Sequence, residues 1–141
     1  MIQADLAKVG IKIKLVSYKW AEYLKRAAAG EHSMLQLGWT GDNGDPDNFL
    51  FVLLGCPAIA GGSNYARWCN REFQKHIEVA KQETNQQKRT THYLKAQEIF
   101  KKEAPWVPLA HATVFKAMSA RVEGYKQSPF GTESFYEVDL K

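Results

Sequence analysis

The sequence predicts an α/β layer, and three observations predict it. The run IKIKLVSY alternates apolar Ile11, Ile13 and Leu15 with Lys12 and Lys14, the period of a half-buried strand. Several segments instead repeat apolar residues every three or four positions, as amphipathic helices do. Over the first forty residues the two patterns alternate as helix, strand, helix, strand, the order from which parallel sheets with crossover helices are built. The 141 residues, 45% of them apolar and four of them tryptophan, suffice for one domain with a core.

Each element can be placed in turn. The opening MIQADLAKVG has Ile2, Leu6 and Val9 near helical spacing, with Gly10 as its stop. It reads as the middle of an amphipathic helix, which is expected of a piece of something longer. The strand at 11–18 follows, then a helix in WAEYLKRAAAG with Trp20, Tyr23, Leu24 and Ala27 inward and Gly30 beyond its end. MLQLGWT, nearly free of charge, is expected to be an interior strand. DPDNFLFVLLG is expected to be a helix with Asp45 at its N-cap, Pro46 in first position and Asp47 in its first turn. Two longer helices come next. REFQKHIEVAKQE turns Phe73, Ile77 and Ala80 inward, and QQKRTTHYLKAQEIFKKEA turns Tyr93, Ala96, Ile99 and Phe100 inward. Ala104-Pro105 ends the second. From Val107 onward short strands are expected at 107–112, 114–118 and 134–140, with a turn near Gly124.

Several function classes are disfavoured. The net charge of +4 is mild and spread over helix faces, without a basic patch interleaved with aromatics, so nucleic acid is not an expected partner. No stretch approaches the roughly 18 apolar residues of a membrane span, and the start has neither the charged nor the apolar region of a signal peptide. Cys56 and Cys69 flank PAIAGGSNYARW, a loop by its glycines and proline. Without a CxxC or a histidine at ligand spacing, zinc is not expected. The pair reads either as two buried thiols or as a disulfide. The disulfide is the favoured reading; it would contribute about 3 kcal/mol and place the chain in an oxidising compartment.

The chemistry concentrates in GWTGDNGDPDNF, residues 38–49. No register of it supplies the alternate oxygens, sixth-position glycine and twelfth-position glutamate of a calcium loop. Catalysis by paired carboxylates would need Asp42 and Asp45 to face one substrate, and no nucleophile, HExxH or phosphate-loop motif accompanies them. Helix capping accounts for Asp45 and Asp47 but leaves Asp42, flanked by Gly41 and Gly44 where a strand should end. Ligands of open α/β sheets bind at that end. An unpaired carboxylate there, beside Trp39, suits an amine; the bland alternative is a solvated loop aspartate.

Together, GWTGDNGDPDNF, the cysteine pair around GSNYARWC, the opening QADLAKVGIKIKLVSYKWAEYLKRAAAGEH and APWVPLAHATVF resemble the C-terminal part of periplasmic dipeptide-binding proteins. These are solute-binding components of peptide-importing ABC transporters, in the extracytoplasmic family that also includes oligopeptide, nickel, glutathione and haem binders. The resemblance covers essentially the whole chain. It implies the C-terminal lobe of a two-lobed clamp over residues 1–106, with 107–141 crossing over to add strands to the first lobe. It implies that Asp42 bonds the ligand's α-amino group, that Gly38, Trp39, Thr40 and Gly41 line the ligand backbone, and that Cys56 and Cys69 are disulfide-bonded. His111 falls where the chain returns toward the first lobe, either lining the cleft or satisfied between lobes. The implied function is non-enzymatic capture of di- or oligopeptides in the periplasm, with an inner-membrane ABC permease as partner and no cofactor. Haem or glutathione on the same scaffold, or a truncated piece that binds nothing, are the alternatives. The first lobe, the signal peptide and the arginine for the ligand carboxylate have no counterpart here.

Overall fold

A computed structural model describes residues 1–141, which divide into two compact units, Met1–Leu35 and Gln36–Lys141. The first unit holds α1 (Ile2–Lys8) and α2 (Trp20–Ala29). In α2, Ala27 is buried and Tyr23 and Leu24 are half-buried as their spacing requires, but Trp20, expected inward, is 65% exposed. In α1 Ile2 and the following Val9 are exposed too, since no other element covers that side of them. α2 stops at Gly30 in the left-handed conformation. Arg26 on α2 bonds Glu22 one turn back at 2.7 Å and Glu31 past the helix end at 2.8 Å. It also lies 4.5 Å from the centre of the Tyr18 ring.

The second unit is built around α3 (Asp47–Leu54), α4 (Arg71–Gln82) and α5 (Gln86–Glu103). Asn70 and Asn85 cap α4 and α5, each side-chain oxygen accepting the N–H three residues on, which satisfies one orphan amide at each start. The inward stripes pack as their spacing requires. Phe73, Ile77, Ala80 and Ala96 are fully buried, with Tyr93 nearly so. Leu54 joins Phe73, Ile77 and Ala96 in one cluster, edged by Leu50, Phe51, Trp68, Ile99, Phe100 and Trp106. Trp68 and Trp106 meet this core edge-on, against Phe73 and Phe100 respectively.

The loop between α3 and α4 begins with a 3₁₀ turn, Cys56–Ile59, and is closed by the Cys56–Cys69 disulfide, Cα to Cα 4.8 Å. Buried Asn64 holds it from inside, donating to the carbonyls of Gly55 at 3.0 Å and Trp68 at 2.9 Å. Glu103 at the end of α5 accepts from the Trp68 indole and the Asn70 amide, both at 2.6 Å. The thiol alternative is thereby removed: the pair is bonded.

The expected strands fare differently. The only sheet is one antiparallel pair, β1 (Val122–Glu123) with β2 (Asp139–Leu140). Residues 11–18, 34–40, 107–112 and 114–118 carry no ladder, and only the end of 134–140 does. MLQLGWT is not interior either, since Met34, Leu37 and Trp39 are all exposed. Alternation specifies which face of a segment can be buried, but a strand exists only where a neighbour accepts and donates along its edge. These segments have no such neighbour, so the α/β expectation is met by its helices and not by its sheet.

Candidate functional site

All the residues singled out around Asp42 lie in the second unit, on the segment leading into α3. The helix begins at Asp47, slightly later than the sequence indicates, with Pro46 at the cap position. Asp45 keeps part of the expected role, because its Oδ1 accepts the N–H of Asp47 at 2.9 Å. Its other oxygen is taken by an ion pair with Arg89 of α5, and Arg89 also donates to the Tyr93 hydroxyl at 3.1 Å. Burial pushes the Asp45 carboxyl up, but the bonds from Arg89 and the Asp47 amide outweigh it and leave the group below its ordinary value. Asp47 moves the opposite way, raised by burial and by the neighbouring Asp45 charge. Asp45 thus fastens the start of α3 to α5. It does not face Asp42 across a shared substrate, and the paired-carboxylate chemistry is excluded.

Asp42 is exposed and forms no ion pair. Its Oδ2 accepts from the Asn48 side-chain amide at 3.2 Å. Its Oδ1 accepts no hydrogen bond. Beside that free oxygen runs the Phe130–Gly131 segment: a Cβ added to Gly131 would sit 3.9 Å from Asp42 Oδ1 and 3.7 Å from the Thr40 methyl. Gly44 adopts φ +72°, a conformation that disfavours side chains, and a Cβ there would meet the Phe130 ring at 3.1 Å. The Gly131 backbone thus runs close to that carboxylate oxygen, and Gly44 leaves room for the Phe130 ring. Gly38, Trp39 and Thr40 are exposed on the same loop, and the Trp39 indole donates to Asn48 Oδ1 at 2.8 Å. His111 stands apart on the exposed 107–118 segment and makes no hydrogen bond or ion pair. Hollows lined by Val79, Gln82, Glu83 and Thr84, and by Gly124, Lys126, Ser134, Tyr136 and Glu137, share no residue with this loop.

Two participants escaped the sequence reading. Arg89 is 44 residues from Asp45, and no local pattern links them. Asn48 had a usable signal: side chains in the first turn of a helix tilt toward its N-terminus, hence back over the loop that enters α3. No trio of metal-binding side chains comes together anywhere in the chain.

Residues 1–61 match the profile of bacterial extracellular solute-binding proteins, family 5 Middle. The dipeptide-binding protein of Pseudomonas aeruginosa is 51% identical over 98% of this chain. Over residues 1–61 the chain is similar to family 5 of these solute-binding proteins. It spans about a quarter of the length of the curated relatives it matches, 26% of the Pseudomonas protein. Heme-binding protein A of Haemophilus influenzae is 49% identical over 99% of the chain and 25% of its own length, so identity alone does not separate ligands among these relatives. Among solved structures, a dipeptide-binding protein of Pseudoalteromonas sp. SM9913 in complex with Met-Leu superposes with a TM-score of 0.93 at 38% identity, over 99% of this chain and 28% of that one. The architecture is therefore part of a periplasmic binding protein fold. No helix is long and apolar enough to cross a membrane.

Proposed function

We propose that this chain supplies the part of a peptide-binding cleft that grips the ligand's ammonium end, in a periplasmic protein that delivers di- or oligopeptides to an ABC permease. One observation carries the reading: Asp42 holds one carboxylate oxygen against Asn48 and leaves the other unbonded, beside a glycine backbone. A free anionic oxygen with steric clearance attracts an ammonium by charge-assisted hydrogen bonding. Gly38, Trp39, Thr40 and Gly41 would run along the peptide backbone, with His111 nearer the second wall of the cleft. The division at 106/107 belongs to the same proposal: the unpaired segment from Val107 would take its ladder partners from the remainder of a protein roughly four times longer, as the share of the relatives' length implies. Glutathione, whose free amino group an aspartate could also hold, belongs among the ligands to be tried.

The haem reading rests on the Haemophilus relative. Charge favours the peptide, since haem presents carboxylates that an exposed aspartate would repel. A chimera in which residues 1–141 replace the matching quarter of the Pseudomonas dipeptide-binding protein tests both, by calorimetry with a dipeptide, glutathione and haemin. The dipeptide should bind, and Asp42→Asn should cost about 3–5 kcal/mol as the buried ammonium loses its partner. Undiminished dipeptide affinity in that variant would overturn the role of Asp42, and haemin binding without dipeptide binding would overturn the ligand class.

A further inference from the structure

The side chain with most connections around Asp42 is not an acid. Asn48 sits in the first turn of α3, its own N–H bonded to the Asp45 carbonyl at 3.2 Å. Its Oδ1 accepts two donors, the Trp39 indole at 2.8 Å and the Asp42 backbone N–H at 3.3 Å. Its Nδ2 donates to Asp42 Oδ2 at 3.2 Å. The three bonds agree on one orientation of the amide. Rotating it by half a turn would set an NH₂ against two N–H donors and an oxygen against a carboxylate, losing all three. Gly41 makes room for this arrangement, because a Cβ there would press on the Phe49 ring at 3.0 Å and come within 4.0 Å of Asn48 Oδ1.

We propose that Asn48 is the positioning residue of the amine site, fixing Asp42 and Trp39 together so that Asp42 Oδ1 alone faces the ligand's ammonium. The proposal rests on the peptide reading above. By occupying Oδ2 with a neutral donor, Asn48 orients the carboxylate without neutralising it; a lysine or arginine in its place would do the first and cancel the second. The same amide fixes the Trp39 ring, so the charged and apolar parts of the site move as one body with α3. A ligand with a free amino terminus is then preferred over the same ligand acetylated.

The test reads that preference in the chimeric full-length protein, using Ala-Ala and N-acetyl-Ala-Ala, together with the Trp39 indole N–H resonance in the 141-residue chain. Asn48→Ala should lower the preference for the free amine about tenfold or more, the effect of losing a hydrogen bond to a charged group, and release the indole resonance to its solvent-exposed position. Affinity for the acetylated peptide should stay where it was, which a general loosening of the fold would not allow. Asn48→Asp keeps the acceptor, so it should retain the indole bond that Asn48→Ala releases. Asp42→Asn separates the two claims. If it leaves the preference intact, the peptide reading falls. If it abolishes the preference while Asn48→Ala keeps it, the positioning role is overturned and the amine site stands.

Discussion

The α4–α5 hairpin and the loop from Gly38 to Asp45 hold their shapes by opposite means. In the hairpin, Phe73, Ile77 and Ala96 are fully buried, and apolar burial does most of the stabilising. In the loop nearly every side chain is exposed, and the conformation depends on a few polar bonds to Asn48 and Asp45. The difference separates two tasks. A region that must only persist can spend its side chains on packing; one that must accept a guest needs unoccupied polar atoms, and stays accessible by leaving them uncovered.

The sharpest test of that contrast sets a core truncation beside a loop truncation. Phe73→Ala should cost about 3–5 kcal/mol, the transfer loss plus the cavity left behind, read as a lowered urea midpoint at unchanged slope. Asp42→Ala should shift the same midpoint by no more than about 0.5 kcal/mol. If the two variants fell by similar amounts, the loop would be part of the stabilising framework and the contrast would be gone. Next in size comes the disulfide, which spans 13 residues. Replacing both cysteines with serine should remove about 3 kcal/mol, measured by thermal melting against the oxidised chain. The Asn64 and Glu103 bonds should keep the loop near its place, so the Asp42 site should be unaffected.

What was legible in the sequence follows the same division. The stripes of α4 and α5 were readable because burial acts at a fixed helical period, and Phe73, Ile77, Ala80, Tyr93 and Ala96 all face inward as that period requires. The strands were not, because alternation at Ile11, Ile13 and Leu15 is a property of one segment while a ladder is a property of two. Asp42 stood out because capping explained its neighbours and not it. The partners of the acids stayed hidden: Arg89 reaches Asp45 across the fold, and only the folded loop brings an asparagine between Asp42 and Trp39.

A third prediction sharpens the comparison where the two regions join. Asp45 ties the loop's end to α5 through Arg89, with both side chains only about 30% exposed. Asp45→Asn should cost about 1–3 kcal/mol by weakening a charged hydrogen bond that is partly sheltered from solvent. The sign with pH follows from the lowered carboxyl: its stabilisation is complete above the ordinary aspartate value of 3.8 and is lost as pH falls through the lower folded value. The wild-type chain should therefore lose more stability than Asp45→Asn on acidification in that window, with part of the difference offset by Asp47, whose shift runs the other way.

The smallest effect belongs to the hairpin and tests whether its polar bonds matter beside its core. His76 of α4 and His92 of α5 are bonded Nδ1 to Nδ1 at 3.0 Å. One ring donates and the other accepts, so the bond requires that the two are not both protonated. Burial lowers the His76 value first, then the His92 ring, Lys95 and Lys75, against the opposing pull of Glu72. A folded value below the ordinary 6.5 means that the unfolded chain takes up this proton first as pH falls. Stability should accordingly decline as pH drops through about 6.5 and below, and be independent of this group well above it. His76→Gln should flatten that decline, visible in urea midpoints taken between pH 7.5 and 5, while leaving the value at pH 7.5 nearly unchanged. An equally steep decline in the variant would mean that the pair carries none of it, and that the hairpin answers to its buried residues alone.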